Sequence, residues 1–238
     1  MTKSDKLIVA LDVEDFAEAA SLIERLSPMA GWFKVGSRLF TREGPRVCEL
    51  VKSAGARLFL GLKFHDIPNT VYGAVESAVA LNADMMTLHT SGGEAMMRAA
   101  VRAVADAGAS GIRLVGVTVL THFKLDEFIS LFSSTSAQEE MVLTLAGVAQ
   151  RSGLDGVVAS AQELPVLKKR FGPDFSVVTP GIRLPDAEAT DDQARVVTPE
   201  KAIGDGADFI VVGRPIIAAH DPEAACGTFC ERIRAIER

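Results

Sequence analysis

Residues 57–66 read RLFLGLKFHD, and the parity of this stretch decides the fold. Strand side chains point alternately to opposite faces. Leu58, Leu60, Leu62 and Phe64 share one face, suited to packing beneath helices. Phe59, Gly61 and Lys63 share the other. Apolar residues on both faces mark a strand of a parallel sheet that is covered on both sides. If that sheet closes on itself, the second face points inward, and Lys63 projects into the mouth of a barrel with Gly61 one layer below.

Similar apolar runs recur along the chain: Leu7–Leu11, Trp32–Val35, Leu58–Lys63, Met85–His89, Arg113–Leu120, Gly156–Ala159, Ser176–Thr179 and Phe209–Val212. Amphipathic stretches fall between and after them: Asp15–Leu26, Leu39–Ser53, Thr70–Leu81, Glu94–Asp106, Gln138–Arg151, Gln162–Arg170, Pro199–Asp205 and Pro222–Ile236. This spacing is about 30 residues per unit, the length of a βα repeat. The expected fold is α/β, a single-domain (β/α)8 TIM barrel over residues 1–238. A doubly wound open sheet is the alternative, but no G-x-G-x-x-G follows the first strand. Two connections are long, Thr121–Ala137 and Pro180–Val196, and residues 125–132 of the first are expected to hold a helical turn. Both follow strands, so a barrel places them at its catalytic mouth.

Composition narrows the class. Of the 238 residues, 48% are hydrophobic and 24% charged, as in an ordinary globular chain. No apolar run approaches the roughly 18 residues of a membrane span. The polar start MTKSDK shows no signal peptide, and a cytoplasmic location is expected. A net charge of −6 argues against a non-specific nucleic-acid binder. It leaves room for an anionic small ligand held by a few placed cations. Cys48, Cys226 and Cys230 read as reduced thiols, with no accompanying set of ligands for zinc.

In a barrel, the catalytic groups stand at the C-terminal ends of the strands. Charged and polar residues interrupt or end the apolar runs there: Asp12, Lys34, Lys63 with Asp66, His89, Thr121, Arg183 and Arg214. A cluster of Asp12, Lys34, Lys63 and Asp66 reads as a functional array, with a structural ion-pair network as the bland alternative. Gly181 in TPGIR and Gly213 in VVGRP follow the last two strands, where many barrels bind phosphate with backbone amides. Either glycine alone is only a turn signal. Together with Arg183 and Arg214 they point to a phosphorylated ligand. The four histidines lack metal-ligand spacing, and neither a P-loop nor G-x-S-x-G is present.

The segments LIVALDV, FKVG, LKFHDIPNT, MTLHTSGG, GVTVLT, DGVVASAQE, VTPGIR and VVGRPI, in this order, resemble the orotidine 5′-phosphate decarboxylase family over the whole chain. The resemblance implies a (β/α)8 homodimer that turns orotidine 5′-phosphate into uridine 5′-phosphate and carbon dioxide in pyrimidine biosynthesis, with no metal or organic cofactor. It implies that Lys63 protonates C6 of the pyrimidine. Asp66 and Thr70 would reach across the dimer interface. Asp12 and Lys34 would bind ribose hydroxyls, and Thr121 would read the pyrimidine edge. Arg183, Gln193, Gly213 and Arg214 would serve the phosphate, with Gln193 on a closing loop.

One position departs from the pattern. The family motif is D-x-K-x-x-D, and here it reads Gly61-Leu62-Lys63-Phe64-His65-Asp66. The missing carboxylate would hold Lys63 in place and crowd the substrate carboxylate with like charge. Its loss should slow the chemistry more than binding. Two other readings stay open. One is a non-catalytic nucleotide-binding homologue. The other is a metal-dependent sugar-phosphate lyase or synthase of the same superfamily.

Overall fold

The computed structural model describes residues 3–123, 125–132, 138–185 and 196–236. Eight parallel strands close into a barrel in chain order: β1 (Ser4–Ala10), β2 (Ala30–Gly36), β3 (Arg57–Phe64), β4 (Met85–His89), β5 (Arg113–Val117), β6 (Gly156–Val158), β7 (Ser176–Thr179) and β8 (Phe209–Val212). Leu7 of β1 pairs with Ile210 of β8 and completes the ring. The expected barrel is what forms, rather than the open sheet.

The parity read from β3 holds around the barrel. Ile8, Trp32, Phe59, Met85, Val115, Val178 and Phe209 point inward and fill its centre, with Trp32 and Phe209 edge to face at 5.4 Å. Leu7, Val9, Leu58, Leu60, Met86, Leu88, Val177 and Ile210 point outward into the larger core beneath the helices. This outer layer comprises α1 (Phe16–Leu26), α2 (Ser37–Glu43), α3 (Arg46–Ser53), α4 (Pro68–Val79), α5 (Gly93–Asp106), α6 (Leu125–Phe132), α7 (Gln138–Arg151), α8 (Leu164–Phe171), α9 (Pro199–Gly204), α10 (Arg214–Ile217) and α11 (Pro222–Ile236). Cys48, Cys226 and Cys230 are free thiols buried in it.

Most element ends shift by a few residues from the sequence reading, and three differences are larger or change an element. The stretch expected as one helix over 39–53 is two, α2 and α3, broken at Gly44 and Pro45. Gly44 takes φ +65°, its amide closes α2 on the Phe40 carbonyl, and Pro45 has no N–H to continue the ladder. The fifth strand stops at Val117 rather than Leu120. Both the amide and the hydroxyl of Thr118 bond to the Val158 carbonyl, and the chain then turns away. The expected helical turn after β5 is a full helix, α6.

The N-terminal face of the barrel carries a repeated device. Asp84, Asp155 and Asp208 each stand just before an even-numbered strand. Each carboxylate accepts the amide of an early residue in the preceding strand, Leu58, Leu114 or Val177, at 2.7 Å. Each backbone amide of the same aspartates donates to that same residue's carbonyl. Lys52 and Lys168 pair with Asp84 and Asp208. Strand pairing is thus pinned at the bottom, which leaves the opposite end to carry chemistry.

Candidate active site

β3 and β4 fall out of step where the strand reaches the mouth. Leu60 pairs with Met86 and Phe64 with Leu88, so four steps along β3 match two along β4. Lys63 lies in this bulge at φ +54°, a conformation that side-chain-bearing residues seldom adopt. Its amide is held by the Thr87 hydroxyl at 2.8 Å. Bulges beside functional sites re-aim a side chain. This one keeps Lys63 half-buried on the wall of the mouth.

Lys34 shapes the floor beside it. A Cβ built on Gly61 would come within 2.7 Å of Lys34 Cε, and one on Gly36 within 2.9 Å of Lys34 Nζ. The lysine stem therefore lies across Gly61 and takes the room of a side chain there. Its ammonium sits 3.7 Å from Asp12 Oδ1. Burial and the nearby Lys34 charge push Lys63 below the ordinary lysine value, and Asp12 opposes them only in part. His89, at the end of β4, is held below its ordinary value by burial and by the charges of His65 and Lys63. The His65 and His89 rings lie 5.3 Å apart.

On the far side, Gly181 needs its φ of +77°, which a side chain would resist. Ile182 bridges to Val197, the Arg183 amide donates to the Val197 carbonyl at 2.9 Å, and the Val197 amide donates to Gly181. The chain on the two sides of residues 186–195 is thereby joined. Gly213 leads directly into α10, with Arg214 at its first position.

These elements enclose a cavity of about 530 Å³. Asp12, Lys34, Gly61, Lys63, Thr121, Arg183, Gly213 and Arg214 all line it, over a floor that includes Phe59 and Val211. The structure thus brings together residues in or just beyond β1, β2, β3, β5, β7 and β8 that are far apart in sequence. Asp66 and Thr70 do not join them. They are exposed, in the run His65–Thr70 that leads into α4, where Ile67 is 67% exposed. Gln193 lies outside the described residues. Two polar wall residues escaped the sequence reading: Thr87, which anchors Lys63, and His122. A hydroxyl between the inward-facing Met85 and His89 of β4 was the available signal for Thr87.

Among the described residues the cavity offers the lysines Lys34 and Lys63, one carboxylate, and an arginine-bearing rim, a set able to hold a phosphorylated, anionic small molecule. Comparisons with known proteins give the chain a family. The model of the orotidine 5′-phosphate decarboxylase / HUMPS family matches residues 5–229. A protein of Moorella thermoacetica called orotidine 5′-phosphate decarboxylase is 44% identical, with 100% of this chain and 95% of the relative covered. One of the same name from Syntrophotalea carbinolica is 46% identical over 97% and 95%. The crystal structure of orotidine 5′-phosphate decarboxylase from Lactobacillus acidophilus superposes with a TM-score of 0.84 at 35% identity, covering 96% of this chain and 99% of that one.

Proposed function

The chain belongs to the orotidine 5′-phosphate decarboxylase / HUMPS family, and from that premise we propose that it converts orotidine 5′-phosphate to uridine 5′-phosphate and carbon dioxide, slowly because of Gly61. One observation supports this reading above others. The bulged Lys63 shares a single cavity with Asp12, Lys34, Arg183 and Arg214. Loss of carbon dioxide leaves an electron pair on C6 of the pyrimidine. The Lys63 ammonium would face that developing charge and then give it a proton. A lysine held below its ordinary value is a better acid for the task.

The remaining roles follow from position. Asp12 and Lys34 would bind the ribose hydroxyls, and Thr121 the pyrimidine edge. Arg183, Gly213 and Arg214 would hold the 5′-phosphate. Gln193, between the paired Ile182 and Val197, would cover the bound nucleotide. The exposed run from His65 to Thr70, with Ile67 bare to solvent, suits contact with a second copy of the chain. Asp66 and Thr70 would then reach the neighbouring cavity in a homodimer. The chemistry is that of a biosynthetic enzyme of the cytoplasm.

A second reading, a nucleotide-binding homologue without turnover, draws on Lys34 filling the room at Gly61. Incubation with orotidine 5′-phosphate labelled in its carboxyl group separates the two. Labelled carbon dioxide and uridine 5′-phosphate should appear in equal amounts, and Lys63→Ala should abolish both. Tight nucleotide binding without release of label would make the chain a binder. Turnover surviving in Lys63→Ala would remove that residue from the chemistry.

A further inference from the structure

The feature that the decarboxylase reading does not use is the relation between the two lysines. Lys34 packs across Gly61, and the position beside Lys63 that a carboxylate could occupy holds only the lysine stem. Among the described residues no hydrogen bond or ion pair reaches the Lys63 ammonium. Among the described residues, the charged and titratable groups that line the cavity or act on Lys63 are Asp12 from the end of β1, Lys34 from β2, His89 from β4, His122 from beyond β5, and Arg183 and Arg214 from beyond β7 and β8. Asp12 is the one anion in that set, and it is also 3.7 Å from the Lys34 ammonium. Asp66 is exposed, outside the cavity.

We propose that the Lys63 amine, crowded by Lys34 and left without a carboxylate at position 61, forms imines with phosphorylated aldehydes and ketones bound in this cavity. A lysine becomes a nucleophile when it is desolvated or placed beside another cation, because both disfavour its protonated form. Both conditions act on Lys63, which burial and Lys34 together hold low. The same cavity supplies the recognition element at its other end, where Arg183, Gly213 and Arg214 would hold a phosphate. The unprotonated Nζ adds to the carbonyl carbon, and the carbonyl oxygen takes up the proton that the nitrogen gives up. Loss of water from this carbinolamine leaves the C=N bond, and hydrolysis reverses it. The step needs no oxidant or reductant. It shares the phosphate end of the cavity with the nucleotide reading and is otherwise independent of decarboxylation.

Pyridoxal 5′-phosphate is a suitable probe, with pyridoxal as its unphosphorylated control. The intact chain is treated at neutral pH, reduced with borohydride and mapped by peptide mass spectrometry. Lys63 should be labelled at least about ten times faster than exposed lysines such as Lys201, and pyridoxal should label it far less. Uridine 5′-phosphate should protect it. Gly61→Asp should suppress the labelling by restoring a counter-ion, whereas Gly61→Asn, of similar volume and no charge, should keep it. Labelling of Lys63 no faster than Lys201, or equal loss in Gly61→Asp and Gly61→Asn, would overturn the proposal. Uridine 5′-phosphate binding, measured in parallel by calorimetry, keeps the two readings apart. Binding without Lys63 labelling sinks the imine and leaves the nucleotide site standing. Labelling that uridine 5′-phosphate does not block would place the amine outside that site and contradict the shared cavity proposed here.

Discussion

At the scale of single residues, burial and then Lys34 hold Lys63 low, and Gly61 offers it no counter-ion. As the acid of the proposed reaction, Lys63 must carry its proton when carbon dioxide leaves. Its value lies below that of an ordinary lysine, so the active form is lost as pH rises through that lowered value. A carboxylate at position 61 would favour the protonated form and raise it. The alkaline limb of kcat should therefore move to higher pH in Gly61→Asp. A pH–rate profile of both proteins checks this, and an unmoved limb would uncouple Lys63 from residue 61. Charged residues ending apolar runs revealed most of this site in the sequence, because burying a charge in a strand is costly unless the strand end has a use for it. The bulge was hidden. A lysine at φ +54° leaves no mark on an alternating pattern, since the pattern reports faces and not backbone angles. The contact of Lys34 with Gly61 was hidden too, because it depends on how neighbouring strands are staggered.

At the scale of elements, the strands were legible because continuous apolar runs separated by amphipathic ones leave few other folds open. Helix ends were legible where a cap has its own chemistry, as at Asp15, whose carboxylate accepts the Glu18 amide at 3.0 Å. The break between α2 and α3 could have been read from Gly44-Pro45, but the apolar spacing runs straight across it. The aspartates at the bottom of the barrel went unread because a lone acid before a strand looks like any turn residue. They provide a test of what pins the strands. Asp155→Ala removes the acceptor for the Leu114 amide and should cost about 1 kcal/mol, given the exposure of that carboxylate. Denaturant unfolding should show a lower midpoint with an unchanged slope. An unchanged midpoint would mean that water replaces the carboxylate without loss.

At the scale of the whole molecule, one cavity collects residues from Asp12 to Arg214, and the exposed run from His65 to Thr70 follows Lys63 in sequence but lies outside the cavity's lining. If Asp66 serves a second copy, mixing Asp66→Asn chains with Lys63→Ala chains should restore activity, because one site of each mixed dimer then has both residues. The mixture is best made in the Gly61→Asp background, where turnover is easier to see. Proven subunit exchange without recovery would place Asp66 in its own site. The most direct test of the account is to measure orotidine 5′-phosphate binding and single-turnover decarboxylation side by side for this chain and Gly61→Asp. The glycine protein should bind the substrate as tightly or more tightly, since the bound carboxylate meets less like charge, and it should react at least about a hundred-fold more slowly. Equal rates in the two proteins would contradict it.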